Sequence, residues 1–174
     1  MDRYDGWPQR GAGRCWIGRG EHMDSSVSSL WQRYRDTNPS APAEVAAVFH
    51  FCDNQEDADI CADLVAAGRK RATASSLAEL DRAGLPLPKA GDYSIITGWN
   101  GEARAVIRTT SVDIRRFADV DADFARTEGE GDLTLEWWRA AHRAYYERVL
   151  AGSGSTVDDD LLIACERFEV VLLA

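Results

Sequence analysis

Lysine is almost missing from this 174-residue chain, which has only Lys70 and Lys89 against eighteen arginines. Long apolar runs are missing too. The longest, such as Val170-Val171-Leu172-Leu173-Ala174, fall far short of the roughly 20 residues of a membrane span. The four cysteines, Cys15, Cys52, Cys61 and Cys165, include no C-x-x-C pair and follow no apolar signal segment. Neither a zinc site nor a secreted disulfide framework is supported, and the thiols read as reduced packing residues. The chain also lacks an excess of basic charge: 29 acidic residues against 20 basic ones leave −9. That balance excludes a broad basic face for DNA or a long RNA tract, though not a small basic pocket. A soluble, cytoplasmic protein with no metal or cofactor is the expectation.

The length suits one domain. Residues 1–22 show neither helical nor alternating periodicity and are expected to be a disordered tail, with Met23 a candidate start and 23–174 the folded domain. Four arginines against three acids put the tail at +1, so the remainder carries −10. Val27, Leu30, Trp31 and Tyr34 mark a helix over 25–37. A strand over 45–51 follows, then a helix over 54–67 with an Asp53/Glu56 capping pattern and Gly68 at its end. Asn100-Gly101 lies between strand-like runs 93–98 and 103–112 and predicts an antiparallel hairpin. Further expectations are a short helix over 117–125, a loop over 128–132, a long amphipathic helix behind Thr134, and a strand over 161–173. Mixed helices and short strands without βαβ alternation point to an α+β domain built on a small antiparallel β-barrel with surrounding helices.

Two segments could carry chemistry. In Arg69-Lys70-Arg71-Ala72-Thr73, a lysine whose pKa is depressed by neighbouring cations could take the proton of a threonine hydroxyl. The plainer reading is a solvated basic patch at a helix end, with Thr73 starting a strand. In Glu128-Gly-Glu130-Gly-Asp132, a carboxylate could serve as an acid/base group or accept hydrogen bonds from a ligand. The plainer reading there is a lead-in to the next helix, with Asp132 as its cap and the glutamates in water. Trp138, His142 and Tyr145 fall on the apolar stripe of the long helix, whereas Trp137 and Tyr146 fall off it.

Gly68-Arg-Lys70-Arg-Ala-Thr73-Ala-Ser75, Leu87-Pro-Lys-Ala-Gly-Asp-Tyr-Ser94, Ile107-Arg108-Thr-Thr110, Glu128-Gly-Glu-Gly-Asp132 and Cys165-Glu-Arg-Phe168 occur in an order and spacing that together resemble the ASCH domain. The resemblance runs over about residues 27–172 and implies a PUA-like fold with a link to RNA or modified nucleosides. One branch of that family is similar to small amidohydrolases that remove the acetyl group of N4-acetylcytidine with a Thr nucleophile, a Lys base and a Glu. Those enzymes are shorter and lack both the N-terminal helix and the two loop glycines found here. Carried over by position, the roles fall on Lys70, Thr73 and Glu130, with Glu128 the second choice for the Glu. Arg69, Arg71 and Arg108 are the expected substrate-binding cations. The alternatives are a ribonuclease and a non-catalytic RNA-binding or regulatory module.

Overall fold

A computed structural model describes residues 24–174 and the backbone of Arg14–Trp16. Twelve elements follow one another: strand β1 (Arg14–Trp16), helix α1 (Ser25–Thr37), β2 (Ala47–Phe51), α2 (Gln55–Ala66), β3 (Ala72–Ser76), α3 (Leu77–Arg82), β4 (Tyr93–Thr97), β5 (Ala103–Arg116), a 3-10 turn (Phe117–Asp119), α4 (Ala122–Glu128), α5 (Leu135–Val149) and β6 (Leu162–Leu173). The strands form one sheet in the order β1-β2-β4-β5-β6-β3. The domain is α+β with a curled, half-barrel sheet, as expected, and every neighbouring pair is antiparallel except β2 and β4, which makes the sheet mixed. The expected tail lies outside the described residues apart from Arg14–Trp16, which pair with β2 as an edge strand.

Alternation along the strands sends side chains to two faces. Val48, Ile95 and Val106 meet Val27, Leu30, Trp31 and Tyr34 of α1 on one face. Phe49, Phe51, Ile96 and Ile107 meet Cys61, Ala62 and Val65 of α2 on the other. A third cluster, against the β3 and β6 end of the sheet, joins Phe124 of α4 and Trp138, Tyr145 and Tyr146 of α5 to Ala72, Ala74, Ile163 and Cys165.

Some local expectations are corrected. Asn54, not Asp53, caps α2, accepting from the Asp57 amide at 3.0 Å. Asp53 turns instead to Arg148 of α5 at 2.8 Å. The helix expected over 117–125 is broken, because Val120 is extended and Asp121 caps a new start by accepting from the Phe124 amide at 2.8 Å. α4 therefore continues through Glu128. α5 is capped by Thr134, whose hydroxyl Asp132 accepts. Tyr146 is fully buried, its hydroxyl donating to the Ala74 carbonyl at 3.3 Å, so α5 is apolar over a wider arc than its sequence stripe. Among the described residues no helix is long and apolar enough to cross a membrane.

Phe49, with no exposed surface, packs edge-on against Phe51 at 5.4 Å between ring centroids. Truncating Phe49→Ala is expected to cost about 3–5 kcal/mol. Urea unfolding should show this as a lower midpoint at an unchanged slope.

Candidate functional site: a buried lysine between two glutamates

α2 ends in a left-handed turn. Gly68 takes φ 78°, its amide donates to Val65 O at 3.0 Å, and the Arg69 amide donates to Leu64 O at 2.9 Å. This paired closure satisfies the last carbonyls of the helix and turns the chain sharply. Lys70 leaves that turn pointing inward and is wholly buried. Its ammonium donates to Glu130 Oε1, lies 3.5 Å from Glu128 Oε1, and sits 4.8 Å from the centre of the Phe51 ring. The plainer reading of a solvated patch therefore fails at Lys70, though Arg69 is exposed.

The glycines of the 128–132 loop make this pairing possible. Gly129 takes φ 74°, and a Cβ there would lie 2.4 Å from the Arg69 carbonyl oxygen and 3.1 Å from the Lys70 nitrogen. Its lack of a side chain lets the loop lie against the Arg69-Lys70 backbone. Gly131, at φ 54°, lies under the Trp137 indole, which a Cβ would meet at 2.2 Å. Trp137 is accordingly half-buried. Between these two bends the Glu130 side chain turns inward, and both Glu128 and Glu130 are buried instead of facing water.

Further groups extend the set. Glu128 Oε2 accepts from the Trp138 indole N–H and lies 3.2 Å from His142 Nε2. The Cys61 thiol donates to Glu130 Oε1 at 3.7 Å, and Cys52 Sγ lies 3.6 Å from Cys61 Sγ. Burial alone would depress the Lys70 pKa, but Glu130 and Glu128 outweigh it and raise it. Burial and the charge of Glu128 raise Glu130 against the opposing effect of Lys70. Burial works to raise Glu128 as well, yet Lys70 and His142 overcome it and hold that carboxyl below its ordinary value. The depressed, basic lysine expected from the arginine neighbours is therefore corrected: the nearest charges are carboxylates.

Thr73 is the second residue of β3, directly across from Glu166 of β6. Its buried hydroxyl has no hydrogen-bond partner among the described residues, so the structure pairs Lys70 with Glu130 but does not hydrogen-bond Thr73 to either. Glu130 Oε2 likewise has none. Buried polar atoms are rarely left so, and each calls for a partner such as a ligand or a water. Arg71 donates to the carbonyls of Val65 at 3.3 Å and Lys70 at 3.2 Å, which commits it to closing the end of α2. Arg108 is not in the site. It alternates with the buried Ile107 and Thr109, stands opposite Tyr93 on the α1 face, and pairs with Glu169 at 2.7 Å. Among the described residues no group of three or more His, Cys, Asp or Glu could hold a metal ion.

Sequence reasoning missed His142 as a partner of Glu128, and Glu166. Glu166 is buried, accepts from the Thr109 hydroxyl at 2.6 Å, and faces Thr73 across the ladder. The available signal was a carboxylate two residues from both Ala164 and Phe168 along a strand, where an apolar residue is the rule.

The ASCH domain family matches residues 47–172, which include every residue of this cluster. The chain belongs to the ASCH domain family. Its fold is the PUA-like fold, which is often linked to RNA binding. Two solved structures are similar to it. The ASCH domain from Lactobacillus crispatus JV V101 is 31% identical, with 87% of this chain and 97% of that one covered and a TM-score of 0.77. Protein EF3133 from Enterococcus faecalis V583 is 35% identical, with 85% of this chain and 89% of that one covered and a TM-score of 0.76. No curated protein matches this ASCH domain at a significant level.

Two variants check the role of the loop. Gly84, also left-handed at φ 66°, has nothing within 4 Å of where a Cβ would stand, so Gly84→Ala carries only the backbone penalty of about 1–2 kcal/mol. Gly129→Ala must in addition displace the loop from Lys70, and its loss in unfolding free energy is expected to exceed that of Gly84→Ala. Glu130→Ala, which strips a buried ammonium of its nearest anion, is expected to cost about 3–5 kcal/mol.

Proposed function

We propose that this ASCH domain takes a nucleoside-sized ligand at the Lys70 site and hydrolyses an amide of the N4-acetylcytidine type through Thr73, Lys70 and Glu130. The observation that carries the reading is the buried Lys70-Glu130-Glu128 set, in which Glu130 Oε2, like the Thr73 hydroxyl three residues along from Lys70, has no hydrogen-bond partner. A free carboxylate oxygen asks for a donor, such as an amide N–H or a ribose hydroxyl, and is poorly matched to a phosphate. The chemistry favours a neutral nucleoside edge over a phosphodiester. The cations that would follow an RNA backbone are otherwise engaged, Arg71 with main-chain carbonyls and Arg108 with Glu169. The net charge of −9 works in the same direction.

The roles differ from those that the resemblance implies. Lys70, held charged, is suited to stabilising negative charge on the carbonyl oxygen as the Thr73 oxygen attacks. Glu130, whose proton affinity burial has raised, is the group that takes the Thr73 proton and passes it to the departing amine. Water then cleaves the Thr73 ester, releasing the acid and restoring the hydroxyl.

Incubating the purified protein with N4-acetylcytidine and following cytidine release tests this reading. Thr73→Ala and Glu130→Gln are each expected to lower kcat by about 100-fold or more. Lys70→Met should do the same provided that it folds. Wild-type protein that leaves N4-acetylcytidine and related N-acyl nucleosides intact overturns the hydrolytic part. Salt-sensitive binding of single-stranded RNA by such an inactive protein would select the binding module instead.

A further inference from the structure

His142 lies on α5, on the far side of Glu128 from Lys70, and is completely buried. Its Nδ1 is 3.0 Å from the Trp138 carbonyl oxygen, a group that can only accept, so Nδ1 carries a proton. Its Nε2 is 3.2 Å from Glu128 Oε2. A bare Nε2 would hold its lone pair 3.2 Å from a carboxylate oxygen, a repulsion that a second ring proton turns into an ion pair, although the contact lacks the alignment of a hydrogen bond. Glu128 Oε2 already accepts the Trp138 indole N–H, and Glu128 Oε1 faces the Lys70 ammonium at 3.5 Å, both of which favour the carboxylate form. The proton belongs on the imidazole. The ring is further held by stacking on Trp138 at 4.0 Å and 19° between planes.

We infer that His142 is a positioning residue of the Lys70 site, an imidazolium that holds Glu128 so that the Lys70 ammonium stays on Glu130. Two cations, Lys70 and His142, then balance two anions, Glu128 and Glu130, away from the surface. Removing the His142 proton leaves Glu128 with Lys70 as its only charged partner and draws the ammonium away from Glu130. This deepens the hydrolytic reading for the same site, but the charge arrangement stands without it. The groups facing the ring are Glu128 at the end of α4, Glu130 in the following loop, Lys70 before β3, Glu79 of α3 and, on its own helix, Tyr146 at 6.0 Å between rings. Burial would lower the His142 pKa, and Glu128 more than reverses it.

Magnetic resonance on 15N-histidine and 15N-lysine protein tests the inference directly, since the chain has three histidines and two lysines. At pH 7 the signal lost in His142→Gln is expected to show both ring nitrogens protonated, with a midpoint above 6.5. The Lys70 ammonium signal should move with that same midpoint in wild type and lose the step in His142→Gln. A neutral ring at pH 7, or a Lys70 signal indifferent to the His142 titration, overturns the inference whether or not any substrate is turned over. Stability gives a second measure. A histidine with a raised folded pKa contributes fully below its unfolded value near 6.5 and loses that contribution as pH rises through the folded pKa. The difference in unfolding free energy between wild type and His142→Gln should therefore shrink above pH 6.5. Glu79, raised to about 7 by burial, is itself lowered by the His142 charge, so the comparison is made in a Glu79→Gln background. If the hydrolysis holds, His142→Gln should lower kcat with little change in KM, and the alkaline limb of the kcat profile should move.

Discussion

An ammonium with no access to water must have anions beside it, and this requirement at Lys70 orders much of the molecule around it. The left-handed close of α2 aims the lysine inward. The missing side chain of Gly129 lets the glutamate loop lie on its backbone. The end of α4 supplies Glu128, and α5 holds that carboxylate with Trp138 and His142. The α2 and α5 cores thus meet at a charged seam between Phe51 and Trp138. Such an arrangement is a weak source of stability by itself, because apolar residues of similar volume often do as well. Its position beside buried atoms without partners makes it the candidate site.

The arginines show the contrast. Arg115 with Asp121, Arg143 with Asp159, Arg148 with Asp53 and Arg167 with Asp123 are surface pairs that join neighbouring elements. Each contributes at most about 1 kcal/mol in water. They also use up cations that could otherwise follow a polyanion. The acidity of the chain is therefore a matter of its surface, while the Lys70 cluster beneath it pairs its charges among its own members.

Much of the fold was legible. The bounds of α1 match the stripe of Val27, Leu30, Trp31 and Tyr34, and Asn100-Gly101 joins β4 to β5 as a hairpin should. Lys70, Glu130 and Glu128 were legible as candidates from two short segments, but their roles were not. The arginines on either side of Lys70 suggested a depressed pKa because they are its neighbours in sequence, whereas its neighbours in space come from a loop about sixty residues on. Arg108 fails as a site residue for a simple reason of strand parity, since adjacent residues leave a strand on opposite faces. His142 and Tyr146 were judged from a helical stripe that cannot show how wide an arc its neighbours will cover.

By itself, then, the sequence determined the periodic elements, the turn at Gly68, the glycine bends of the 128–132 loop and the family to which the chain belongs. These depend on local spacing and on which backbone angles each residue tolerates. Only the tertiary structure decided which charges meet: that Lys70 is buried between two carboxylates, that Glu128 is shared with His142, and that Arg71 and Arg108 are engaged elsewhere. Electrostatic character depends on burial and on distances of a few ångströms between residues far apart in the chain, and neither quantity is written in local sequence.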